Sequence, residues 1–166
     1  MCIRATYETE EEYNSFKRQN SRSGTKYSYI IYRIIGEDIV ITKKQERLEH
    51  MDIEDQWEDF CHSLNFPVDK DGKEDENGER GCAYGTFDFT TIVAGLTISK
   101  IIFVTWAPED VSIRKRLLIG ATTESFKAEL GGSFHHCIQA RNFANLDVEH
   151  LYKKFQILDS QGEITF

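Results

Sequence analysis

The sequence predicts an α/β (α+β) fold, with one central mixed β-sheet flanked by helices on both faces. Three observations carry that expectation. Segments of helical and strand periodicity follow one another in the order α–β–β–α–β–β–α–α–β–α, and strands interleaved with helices form a sheet covered on its two sides. Ile101-Ile-Phe-Val104 is apolar at every position, as a strand buried between helix layers requires. At 166 residues, 40% hydrophobic and 12% aromatic, the chain has enough apolar surface for one core. A single domain over 1–166 is expected, with its core at about 9–155.

The elements follow in order. Thr9-Glu-Glu-Glu12 reads as a capping box, and Tyr13 and Phe16 share a face three residues apart, which predicts a helix over 10–20. Tyr27 to Ile35 and Ile39 to Ile41 flank Gly36-Glu-Asp38, a hairpin pattern. Ile53, Trp57, Phe60, Cys61 and Leu64 lie at helical spacing behind an acidic first turn, which suits the helix dipole. Residues 65–81 carry Gly72, Gly78, Gly81 and nine charges and predict an extended, solvated loop. Strands are expected at 82–90 and 100–106, and a helix opened by Pro108 and Asp110 through Leu118. A separate helix is expected from Glu124 to Leu130, stopped by Gly131-Gly132. A short strand at His136–Ala140, a helix at 147–155 and a loosely held tail at 156–166 complete the reading.

Charge narrows the function. With 20 Lys+Arg against 28 Asp+Glu the net charge is −8, which argues against a nucleic-acid binder, because such affinity comes largely from neutralising phosphates. No apolar run approaches the roughly 20 residues of a membrane span. Met1-Cys-Ile-Arg4 has no signal-peptide h-region, so a cytoplasmic protein is expected. Cys2, Cys61, Cys82 and Cys137 are scattered without zinc-finger spacing and are expected as free, mostly buried thiols.

Catalytic and cofactor motifs fail on inspection. An EF-hand register from Lys73 places Asp75, Asn77 and Gly78 correctly but has lysine first and Tyr84 twelfth; a register from Asp69 has Glu74 where glycine is required. Phosphate-binding glycine motifs are lacking. His135-His136-Cys137 is the one His/Cys cluster. On a strand only His135 and Cys137 would share a face, too few for a closed zinc site. A Cys–His nucleophile with a partner distant in the chain stays open. No metal, no cofactor and no enzymatic activity are expected.

The unusual segment is 100–127, KIIFVTWAPEDVSIRKRLLIGATTESFK. From Val111 to Lys127, Arg114, Lys115, Arg116 and Lys127 face only Glu124, a balance of +3, whereas 46–59 sets Arg47 against seven carboxylates. That segregation lets an acidic protein present a basic face. Strand, Trp106-Ala-Pro-Glu109, the basic cluster, a hydrophobic turn and a helix ending at glycine resemble the ADF/cofilin family, whose fold is the actin-depolymerising-factor homology domain. Tyr27-Ser-Tyr-Ile-Ile-Tyr32, Cys82-Ala-Tyr-Gly-Thr-Phe-Asp-Phe89 and Cys137-Ile-Gln-Ala140 resemble three of its strands.

The resemblance implies a monomeric protein that binds actin monomers, preferably with ADP bound, and filaments, and promotes filament disassembly. On its monomer side it implies Arg4, Ala5 and Thr6 at the N-terminus, Arg114, Lys115, Arg116 and Leu117 on the long helix, and Lys127 beyond them. On its filament side it implies Lys100, Lys153 and Lys154. Phosphoinositide headgroups would compete for Arg114, Lys115 and Arg116. The chain departs from the pattern in a longer 65–81 loop, in one of Lys153 and Lys154 at an acidic position, and in three further places. Arg4-Ala-Thr6 replaces the family's phosphorylatable Ser-Gly-Val, Ile119-Gly-Ala-Thr122 replaces Tyr-Ala-Ser-Ser, and Ile98 takes the place of Lys100's basic neighbour. Residues 114 and 116 also lie about 200° apart on a helix wheel. The altered filament surface motivates an alternative of the same fold, a coactosin-like or glia-maturation-factor-like module that binds filaments or branch junctions without severing.

Overall fold

The computed structural model describes residues 2–20, 22–93 and 95–155; the tail expected at 156–166 lies outside them. Two residues, Arg4–Ala5, form β1 and pair in parallel with β3, Asp38–Glu46. β3 runs antiparallel to β2, Tyr27–Ile35, and their turn uses Gly36 at φ 65°, a left-handed conformation that costs glycine little. β2 pairs antiparallel with β4, Ala83–Val93, and β4 with β5, Leu96–Trp106. β6, His136–Ala140, adds in parallel to β5. The sheet order is therefore β1-β3-β2-β4-β5-β6, a mixed sheet with an antiparallel centre and short parallel edges.

Side-chain alternation sends residues to two cores. Ile30, Tyr32, Tyr84, Ile101 and Phe103 pack with Tyr13 and Phe16 of α1, Tyr7–Arg18, and with Ile119 and Phe126 of α3, Ile113–Glu129. Tyr29, Ile31, Phe87, Ile102 and Val104 pack with Trp57 and Phe60 of α2, Ile53–Asn65, and with Leu151 and Tyr152 of α4, Val148–Phe155. The strand expected to be apolar on both faces is buried on both: Ile101 to Val104 are at most 5% exposed. Each such side chain contributes about 1.5–3 kcal/mol on burial.

Four expectations need correction. The first helix begins three residues earlier, capped by Thr6, whose hydroxyl oxygen accepts from Thr9 N–H at 3.2 Å. Thr9 is buried instead, and its hydroxyl donates to the Ile39 carbonyl at 2.9 Å, so burial on the sheet decided which threonine caps. The two helices expected at 110–118 and 124–130 are one 17-residue helix capped by Ser112. Burial of Ile119, Thr122, Thr123 and Phe126 carries it through the segment around Gly120, where propensity alone predicts a break. The thiols are free but not mostly buried: Cys61 is buried, Cys82 half-buried, Cys2 and Cys137 exposed.

The loop at 65–81 is more ordered than a solvated charge run. Val68 bridges to Glu74 and Glu79, and Gly72 is buried. A side chain on Gly78 would stand 2.2 Å from the Val68 carbonyl oxygen, so this close approach requires glycine. The two-residue β1 and a 3₁₀ turn at Phe143–Leu146 had no sequence signal, being too short for a periodicity. The turn is fixed by Trp57, whose indole N–H donates to the Leu146 carbonyl at 2.7 Å.

Candidate functional site

α3 positions most of the expected monomer-side residues. The turn before it closes through Val111 N–H donating to the Pro108 carbonyl at 3.1 Å, and Val111 is buried. The inner face is held by Ile119, Phe126 and Leu130, and by Thr122 and Thr123 hydroxyls that donate back to Leu118 and Ile119 carbonyls at 2.8 and 2.7 Å. Tyr84 of β4 also donates to the Ile119 carbonyl, at 2.5 Å.

The outer face is different in kind. Ile113 and Leu117, four residues apart and so on one face, are each 65% exposed, and Leu118 is 41% exposed. Arg114 is exposed beside them and has no ion-pair partner among the described residues. Arg116 lies on another side of the helix: half-buried, with Nε donating to the Val111 carbonyl at 3.0 Å. The two arginines therefore do not form one matched pair, as the helix wheel indicates. Lys115 is 3.9 Å from Glu79, a weak exposed pair. Lys127 sits 3.5 Å from Glu124 one turn away.

The N-terminal segment meets α3 at its other end. Ala5 N–H donates to a Glu129 carboxylate oxygen at 3.1 Å, linking β1 to the last turn of α3. Arg4 is exposed, its Nε donating to Cys2 Sγ at 3.2 Å, while Thr6 serves as the α1 cap. Arg4, Ala5, Thr6 and α3 thus come together. Sequence reasoning missed Ile113 and Leu118, although their offsets from Leu117 and Arg114 put them at neighbouring helical positions.

The expected filament-side residues form a second group. α4 packs on the opposite sheet face through Leu151 and Tyr152, and the Tyr152 hydroxyl donates to Glu54 at 2.7 Å. Lys153 and Lys154 are exposed on it. Lys100 from β5 stands 5.2 Å above the Phe155 ring, a cation–π contact. The same ring meets His136 edge-on at 6.3 Å. Partial burial and then the Lys154 charge hold the His136 imidazole below its usual pKa.

The His135-His136-Cys137 segment does not assemble a nucleophile. His135 Nδ1 accepts the Ile101 N–H at 2.9 Å, and neither histidine bonds Cys137 among the described residues. No helix among the described residues is long and apolar enough to cross a membrane.

A sheet of this order, with a long capped helix on one face that exposes leucine, isoleucine and arginine outward, defines a protein-binding module. The sequence profile of the family described as cofilin/tropomyosin-type actin-binding protein matches residues 2–156, and the chain belongs to that non-enzymatic, actin-binding family. Similar proteins include actin-depolymerizing factor 7 of Arabidopsis thaliana, 30% identical over 67% of this chain and 68% of that one. Cofilin of Cryptococcus neoformans is 27% identical over 83% of this chain and 88% of its own. The fold is shared with Plasmodium berghei actin depolymerization factor 2 at TM-score 0.67 and 20% identity, covering 90% of this chain and 92% of that one. Human coactosin-like protein shares it at TM-score 0.63 and 16% identity, covering 100% and 94%.

Proposed function

We propose that this chain binds actin monomers through the outward face of α3 and the adjacent Arg4-Ala5-Thr6, and binds filaments with Lys100, Lys153 and Lys154 as a second contact. It acts in the cytoplasm, on the actin cytoskeleton, as a monomer that promotes filament disassembly. The observation that carries the reading is the ridge of Ile113 and Leu117 beside an exposed Arg114 that has no ion-pair partner among the described residues. Exposed apolar side chains flanked by a free guanidinium suit a cleft lined by carboxylates, because arginine makes charge-assisted bonds while leucine and isoleucine fill the apolar floor. Disassembly then needs no chemistry: a protein that binds one filament conformation more tightly shifts the population toward it.

Arg114, Lys115 and Arg116 also lie where an anionic headgroup could compete with actin, so phosphoinositides are proposed as antagonists through charge attraction. Filament co-sedimentation together with nucleotide exchange on monomeric actin tests the main reading. Binding in the first and slowed exchange in the second are expected; the absence of both overturns it.

A second reading is favoured by one feature. Lys100 lacks a basic neighbour because Ile98 stands two residues earlier on β5, which leaves the filament-side contact weaker than the monomer side. In that case the chain binds filaments or branch junctions without severing them. Fluorescence microscopy of single filaments separates the two: stable lengths alongside bound protein select the second reading.

A further inference from the structure

Buried charges in this molecule are handled in two opposite ways. Asp88, 3% exposed, pairs with Arg47 at 3.1 Å and accepts further bonds from Gln19 and Thr90 at 2.8 and 2.6 Å. Arg33 is buried to 4% exposure with no carboxylate in ion-pair range among the described residues. Its terminal nitrogens donate to the Cys82 and Leu64 carbonyls at 3.2 and 3.4 Å, and its Nε has no acceptor among the described residues. Glu74, the acid near enough to be felt, is paired with Lys43 at 2.9 Å. A buried guanidinium with carbonyl partners alone is costly, and burial lowers its pKa to about 10.

Arg33 lines a cavity of about 660 Å³, between the β2–β3 turn, the 65–81 loop and the first turns of α3. That volume is typical of small-molecule sites. Its wall mixes apolar Ile34, Val68 and Leu118 with Lys115 at the opening. The acids around it are already engaged. Asp69 accepts the N–H groups of Asp71 and Lys73 at 2.8 and 3.1 Å, and Asp75 that of Asn77 at 2.9 Å. Glu79 has a side chain 90% exposed and lies 3.9 Å from Lys115. Arg80, also on the wall, is held by Asn65 and Asp110. The loop lies close over Thr42 and Arg33: a Cβ on Gly72, at φ +82°, would stand 2.7 Å from Thr42 Cγ2 and 3.2 Å from Arg33 Cδ.

We infer that this cavity is a binding site for a phosphate monoester carried on an apolar body, with the phosphate between Arg33 and Lys115. A dianion balances both cations where a single carboxylate balances one, and the guanidinium fork matches phosphate oxygens. The apolar wall accommodates the organic part of the ester. This site adjoins the outward face of α3, and Lys115 and Leu118 border both.

The test is thermal unfolding against phenyl phosphate at constant ionic strength, on the wild type, Arg33→Met and Lys115→Gln. The wild type should show a saturable rise of roughly 5–10 °C at a hundredfold excess over Kd. Arg33→Met should melt no lower than the wild type without ligand, since an apolar replacement removes an uncompensated buried charge, and should not respond to ligand. Lys115→Gln should weaken binding by about tenfold or more. Should Arg33→Met fail to fold, ³¹P line broadening of phenyl phosphate on wild type and Lys115→Gln reads the same contact. Flotation with phosphatidylinositol bisphosphate vesicles distinguishes the source. Flotation unchanged by Arg33→Met assigns a soluble ester, and flotation lost along with the phenyl phosphate response assigns a lipid headgroup. No saturable response in the wild type, or an equal response in Arg33→Met, overturns the site.

Discussion

The hydroxyl of Tyr84 donates to the carbonyl of Ile119 at 2.5 Å, fastening the middle of α3 to the centre of the sheet. Burial raises the phenol's pKa, so it stays protonated and a donor through the physiological range. Tyr84→Phe keeps the ring packing against Phe103 and Phe126 and removes this bond together with the long one that the Thr123 hydroxyl donates to the phenol at 3.5 Å. A loss of about 1 kcal/mol is expected, measured as a lower urea midpoint with an unchanged m-value.

Arg114 and Arg116 should separate in binding assays. Arg114→Ala removes an exposed, unpaired guanidinium and should weaken actin-monomer binding by about 1.5–3 kcal/mol with stability unchanged. Arg116→Ala removes a side chain already bonded to Val111 and should cost binding less and stability slightly more. Equal losses of monomer affinity for the two variants would contradict the assignment of roles.

The two surfaces should be separable as well. Replacing Lys100, Lys153 and Lys154 together by alanine should reduce filament co-sedimentation while leaving the monomer nucleotide-exchange effect intact, because these side chains lie with α4 on the other side of the sheet from α3. Loss of both activities would show that the patches are not independent.

Protonation of His136 should loosen α4. The folded-state pKa is lowered by partial burial and Lys154, so the unfolded chain binds the proton more tightly. Stability is then full above about pH 6.5, the ordinary histidine value, and falls as pH drops through it toward the folded pKa. Thermal melts at pH 7.5 and 5.5 should show a smaller acid-induced drop in His136→Gln than in the wild type.

Gly85 faces the Phe60 ring, and a Cβ there would stand 2.5 Å from two of its carbons. Phe60 is fully buried among Tyr29, Trp57 and Phe87 and has little room to retreat. Gly85→Ala should therefore destabilise by about 1–3 kcal/mol through overpacking, read by chemical denaturation.

Strong periodicities carried the fold from sequence. Ile101 to Val104 announced a doubly covered strand, and Asp52 with the Ile53–Leu64 face announced α2, which runs Ile53–Asn65 with Asp52 as its cap. What the residues alone did not disclose depends on tertiary contact. Gly120 and two threonines read as a break until Tyr84 and the buried face of α3 are in place. Thr9 reads as the cap until its burial and its bond to the Ile39 carbonyl are in place, and Thr6 takes that role. At the site, the basic cluster was visible as charge segregation and the helix wheel already parted Arg114 from Arg116, whereas the tether of Arg116 to the Val111 carbonyl depends on the fold of the turn before α3. Arg33 did leave a trace: a lone cation within Tyr27–Ile35, in phase with inward-facing Tyr29 and Ile31. A lone cation names no ligand, and the cavity around it comes from a loop distant in sequence.

The hydrogen bond from Ala5 to Glu129 has a practical corollary for anyone handling the protein. It fastens β1 to the last turn of α3, so a tag or fluorescent fusion joined just ahead of Arg4 would crowd the Arg4-Ala5-Thr6 part of the proposed monomer contact and mimic a loss-of-binding mutant. A label where α4 ends at Phe155 would crowd Lys100, Lys153 and Lys154 instead and so disturb the filament-side contact alone.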